Sequence, residues 1–143
     1  MQRRKIPLFP HPPSGGQLMV KTLLSIFIAV GLLAAAAVFE EIFVSKQFDK
    51  FGVALESLDM KVRNETASRS DAETVRTLWE EEKKVLHIVV PHRDIGYVDY
   101  WLGEAISLVE TKNYDEALSK IDVLLSICEQ IPQTYRITFE NVF

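Results

Sequence analysis

Eighteen consecutive residues, TLLSIFIAVGLLAAAAVF from Thr22 to Phe39, carry no charge. Wound as a helix at about 1.5 Å per residue they reach roughly 27 Å, close to the thickness of a bilayer's hydrocarbon layer. Lys21 stands before the run and Glu40-Glu41 after it. Because basic flanks stay in the cytoplasm, the run predicts a single-pass cell-membrane protein: residues 22–39 in the lipid bilayer, the N-terminus cytoplasmic and residues 40–143 extracytoplasmic. A cleaved signal peptide is the competing reading, since Ala35-Ala36-Ala37 gives a small-residue cleavage pattern behind a basic start. The run is long for that role and resumes past Glu40-Glu41 in Ile42-Phe43-Val44, which favours an uncleaved anchor.

The charges divide at the same place. Arg3, Arg4, Lys5 and Lys21 are the only charged residues before position 40. All 20 acidic residues follow, facing the remaining 12 of the 16 basic ones, so the first part carries +4 and the rest −8. An acidic outer domain lacks the basic face that phosphates require, which excludes nucleic acid as a partner. The single Cys128 has no intramolecular disulfide partner, so the fold rests on packing. Four prolines and Gly15-Gly16 mark the first 18 residues as part of a flexible cytoplasmic arm, residues 1–21. Met19 is an alternative start, with Gly15-Gly16 then read as a ribosome-binding sequence; the intact mass of the native protein tests this.

Beyond residue 40 the apolar spacing is helical. Val44, Phe48, Phe51, Leu55, Leu58 and Val62 follow each other at 4-3-4-3-4, a coiled-coil type of seam that continues the membrane helix, with Gly52 its weakest point. NETASRS breaks it, and Ser70-x-x-Glu73 reads as the capping box of a second helix. That helix turns Val75, Leu78, Trp79, Glu82, Val85, Leu86 and Val89 inward, with Glu80 and Lys84 paired outside, until Pro91 stops it. Glu82, near the inner stripe, should snorkel or find a partner. Asp94 is placed to cap a third helix with Ile95, Val98, Trp101, Leu102, Ala105 and Val109 buried. Asn113-x-x-Glu116 caps a fourth, whose Ala117, Leu118, Ile121, Leu124, Leu125, Cys128 and Ile131 face in until Pro132. The expected fold is all-α: an N-terminal transmembrane helix continuing into an up-and-down antiparallel bundle of about four helices. Only Tyr135, Ile137 and Phe139 alternate like a strand, and NYDEAL, though similar to the second helix of tetratricopeptide-type repeats, has no second copy.

Trp79, the stretch HRDIGYVDYWLGEAISLVETKNYDEAL and the ending ITFENVF resemble the bacterial membrane-anchored family called domain of unknown function 4363. The resemblance implies one N-terminal membrane helix, a Trp-bearing helix, an H-x-x-I-x-x-[IV] segment opening the next helix and a terminal NIF or NVF. Here those motifs fall on His92, Ile95, Val98 and Asn141-Val142-Phe143. It also implies a spore-forming Gram-positive source and Met19 as the start, and it brings no activity with it.

The residue types of chemistry are present without their spacing. His87, His92, Asp94 and Asp99 are possible metal donors, but His87 and His92 are five apart across Pro91 and do not share a helical face. Asp99 is expected to be solvated and His92 to pack or hydrogen-bond where the third helix begins. Cys128 lies on an apolar stripe, where a thiol is inert. Neither a nucleophile elbow nor a phosphate loop occurs, so no catalytic residue, metal or cofactor is expected. Two surfaces are candidates for interaction. Gly96 and Gly103, seven apart with Tyr100 between them and His92 at the corner, form a face that either receives a partner or packs within the bundle. Phe139, Val142 and Phe143 end the chain on apolar residues that either plug the open end of the bundle or dock on another protein. The expected function is non-enzymatic: binding or supporting another membrane or envelope protein through the outer bundle. A small-ligand sensor acting through a partner is the second reading, because the cytoplasmic arm holds no output domain. An envelope hydrolase is the third.

Overall fold

A computed structural model describes residues 15–135. Four helices follow in order: α1 (Gly15–Arg63), α2 (Arg69–Leu86), α3 (His92–Glu110) and α4 (Tyr114–Thr134). No strand occurs among the described residues. The all-α expectation holds. Residues 15–21, assigned to the arm from composition, are already helical, since Leu18, Met19 and Val20 extend a helix as readily as the residues after them. The chain divides into two compact units within α1, Met1–Ala36 and Ala37–Phe143.

The first unit contributes the apolar helix. α1 is the one described helix long and apolar enough to cross a membrane: its most apolar 18-residue window has a mean hydropathy of 2.5 and none of it is buried.

The second unit is the bundle. Lys50 meets Glu82 at 3.2 Å and Lys61 pairs with Asp71, so α2 runs back along α1. Arg69 meets Glu110 at 3.1 Å and Lys83 meets Asp99 at 3.1 Å, so α3 reverses again. The α4 helix closes the ring against α1: a Cβ built on Gly52 lies 3.9 Å from the Cys128 Cβ, and Arg63 reaches Asp122 at 3.7 Å. Every residue of the α1 seam, Val44, Phe48, Phe51, Leu55, Leu58 and Val62, is buried. They meet Trp79, whose ring lies 4.8 Å from Phe51 and 6.1 Å from Phe48, both tilted. Ile95, Val98, Leu102, Ala105 and Val109 of α3 and Ala117, Ile121, Leu124 and Ile131 of α4 complete the core.

Several helix ends differ from expectation. The capping box of α2 is Ser68 with Asp71, not Ser70 with Glu73: Asp71 N–H donates to Ser68 Oγ at 3.3 Å, and Ser68 N–H donates to the Asp71 carboxylate at 2.9 Å. Asp71 wins because the same carboxylate also pairs with Lys61 of α1. Helix α2 ends at Leu86, before Pro91, and Pro91 itself occupies the N-cap of α3. Asp94 therefore sits inside the first turn and accepts from Arg93 Nε instead of capping. Asn113 is the N-cap of α4 without a side-chain hydrogen bond. Pro132 lies buried inside α4, which continues to Thr134. Val85 is exposed, whereas Val90 is buried, because the chain leaves the helix after Leu86. Glu80 pairs with Lys83, one residue short of the expected Lys84.

Candidate interaction surface

The α3 helix carries four of the seven residues expected to contact a partner. His92, Gly96, Tyr100 and Gly103 follow at steps of four, four and three, one face of a helix. All four are exposed. A Cβ added at Gly96 or Gly103 would meet nothing within 4 Å, so the glycines are not spaces filled by the protein's own bundle. Among the described residues, this face is left open. Tyr97 borders it and Tyr100 stands within it: they are 51% and 60% exposed, and both stand edge-on to Trp101, at 6.0 and 5.2 Å. Trp101 is only half-buried, with the Lys120 ammonium 4.9 Å from its ring. Its indole N–H is the one buried side-chain polar atom without a hydrogen-bond partner among the described residues. The tail residues Phe139, Val142 and Phe143 lie outside the described residues.

Behind this face sits an arrangement the periodicity did not disclose. Trp79, buried in the core, donates its indole N–H to Asp99 Oδ1 at 2.6 Å. Asp99 also receives Lys83, which reaches back to Glu80 at 2.8 Å. Asp99 is thus a structural acceptor and not merely solvated. Partial burial works against the charge on Lys83, but its hydrogen bonds to Glu80 and Asp99 outweigh this and raise its pKa. Glu82 finds the partner it needed: Lys50 stretches along α1 to reach both Glu82 and Gln47.

His87 and His92 come together although they share no helix. The turn from Leu86 to Pro91 folds the two rings to 4.9 Å between centroids, with their Nδ1 atoms 3.0 Å apart. In that hydrogen bond one ring donates an Nδ1–H and the other accepts. No group of three or more His, Cys, Asp or Glu side chains suited to a metal occurs among the described residues. Burial pushes the Cys128 thiol up to about 12, so at neutral pH it is not a thiolate. Cys128 lines an open groove of about 560 Å³ between α1 and α4, along with Phe48, Asp49, Gly52, Glu56 and Glu129.

A family model described as Domain of unknown function (DUF4363) matches residues 38–142, most of the chain. The chain belongs to the DUF4363 family. The match begins at the end of the apolar run and takes in the whole bundle, so in this DUF4363 protein the Trp79–Asp99 bond and the α3 stripe fall within the region that defines the family. No curated protein and no solved structure matches it.

Proposed function

We propose that this DUF4363 protein is a non-enzymatic, single-pass membrane protein whose bundle, held outside the cytoplasm, binds another membrane or envelope protein through the His92–Gly96–Tyr100–Gly103 stripe of α3. The observation that carries the reading is the openness of that stripe: two exposed glycines on either side of the exposed Tyr100 offer two shallow hollows around an aromatic ring, into which a partner's side chains can settle. Tyrosine gives large contact area at low entropic cost, which suits it to such a position. The orientation rests on Lys21 before the apolar run and Glu40-Glu41 after it.

The test is a photo-crosslinking amino acid at Tyr100 in native membranes, with Met60 as a control position. The expected result is a discrete protein adduct from position 100 that Gly96→Leu with Gly103→Leu abolishes while thermal stability stays at or above the parent's. Absence of a protein adduct, or one indifferent to the two leucines, refutes the reading. The groove between α1 and α4 favours a second reading, a small-ligand sensor, and a ligand-dependent rise in melting temperature that Gly52→Leu removes would distinguish it.

A further inference from the structure

We propose that the corner between α2 and α3 is a second, peripheral membrane contact, which lays Ile88 and its basic neighbours onto the anionic lipid surface of the bilayer that holds the anchor. This rests on the anchor reading above and goes beyond it, since an anchor alone leaves the bundle indifferent to lipid.

The segment KKVLHIVVPHR, residues 83–93, is unlike the rest of the outer domain. It contains Lys83, Lys84, Arg93 and two histidines and no acid, within a region carrying −8. Ile88 at its centre is 82% exposed, more than any large apolar side chain of the apolar run, where Phe27 at 74% is the highest. Val85, one turn earlier, is also exposed, and the Arg93 side chain is 89% exposed. An apolar tip ringed by cations is the composition of segments that lie in the headgroup layer, where the apolar side chain enters and the cations meet lipid phosphate.

Position selects the bilayer as the occupant. Eleven residues separate Lys50 from Lys61 on α1, and eleven separate Asp71 from Glu82 on α2, so the two helices keep a one-to-one antiparallel register. Continued, that register sets the corner beside Glu40–Val44. Tyr135 bears this out, because its hydroxyl donates to the Val89 carbonyl at 3.1 Å while both Asp94 and Glu40 act on it. Glu40 is the first residue after the apolar run, so this end of the bundle is the one tethered at the bilayer surface. Ile42, 62% exposed, lies at the same end, whereas the opposite end mixes Glu65, Glu110, Asp115 and Glu116 with Arg63, Arg69 and Lys112 and exposes no comparable apolar tip among the described residues. Glu40, Glu41, Asp94, Glu80 and Asp99 are the acids near the corner: Arg93 engages Asp94 at 3.1 Å and Lys83 is held by Glu80 and Asp99, so Lys84 and the exposed end of Arg93 are the cations left to face lipid.

The experiment uses the full chain with Cys128→Ser, carrying a nitroxide at Ile88→Cys, Met60→Cys or Phe27→Cys in turn. Each is reconstituted into phosphatidylcholine bilayers with and without phosphatidylglycerol. Accessibility to oxygen relative to a water-soluble nickel chelate reads depth. The expected result is a ratio at position 88 severalfold above that at position 60, larger with phosphatidylglycerol and reduced by Lys84→Glu with Arg93→Glu. A position 88 as aqueous as position 60, with position 27 in lipid, overturns this inference and leaves the anchor standing. Position 27 in water overturns the anchor and this contact with it. Position 88 shielded from both reagents shows a covering protein instead of lipid and also overturns it.

Discussion

Asp71 shows how much one surface carboxylate can be asked to hold. It pairs with Lys61 across the α1–α2 turn and accepts from both the backbone and the hydroxyl of Ser68. The Lys61 hydrogen bond first, then those from Ser68, draw its pKa from an ordinary 3.8 down to about 2. A carboxyl depressed in the folded state contributes stability that is whole above the unfolded value and lost as pH falls through the folded one. Stability should therefore decline between about pH 4 and pH 2, and Asp71→Asn should flatten that stretch of an acid titration followed by circular dichroism. Parallel curves for the two proteins would show that Asp71 titrates alike in both states. Glu82 poses the opposite problem, a buried acid whose Lys50 partner is half in water. Lys50→Met should cost about 1–2 kcal/mol in urea denaturation, chiefly by leaving Glu82 uncompensated, and adding Glu82→Met should recover most of it.

At the scale of the helices, the two turns at the far end of the bundle are built alike. Helix α1 ends with Glu65 N–H donating to Val62 O and Thr66 N–H to Lys61 O; α3 ends with Lys112 N–H donating to Val109 O and Asn113 N–H to Leu108 O. These are paired Schellman caps, and the residue that turns the chain has φ of 55° at Glu65 and 58° at Lys112. Glycine suits that conformation better than either side chain. Glu65→Gly and Lys112→Gly should each stabilise the bundle by roughly 0.5–1 kcal/mol in chemical denaturation, and a loss in either would mean the side chain holds something the backbone does not. The same turns explain what was legible. The α1 seam, the inward faces of α3 and α4 and the number of helices were readable because burial imposes a helical period that survives in the letters. The ends were not, because a left-handed cap made from glutamate or lysine leaves no glycine to see, and because Ser68 and Ser70 offer equivalent capping letters until Lys61 arrives from another helix to favour Asp71. The stripe of His92, Gly96, Tyr100 and Gly103 was readable as a face by spacing alone; that it looks outward is set by Ile95, Val98 and Leu102 turning the other way into the core. The meeting of His87 with His92, and of Trp79 with Asp99, depends on where whole helices lie and had no local signal.

Across the whole bundle, α4 ties down both of the connections it does not itself form. Tyr114 at its start donates its hydroxyl to the Ala67 carbonyl in the α1–α2 turn at 2.9 Å, and Tyr135 just past its end donates to the Val89 carbonyl in the α2–α3 turn at 3.1 Å. Tyr114→Phe and Tyr135→Phe should each cost about 0.5–1.5 kcal/mol, and because they act at opposite ends the double variant should show the sum to within about 0.5 kcal/mol. A shortfall from additivity would mean that the two ends are strained against each other. Chain order also separates events in time. Of the described helices α4 is synthesised after the other three, so the turns at Ala67 and Val89 are made before either tyrosine exists to fasten them. Until α4 arrives, Phe48, Phe51 and Trp79 have no fourth wall, and the bundle is an unfinished trough that α4 must close.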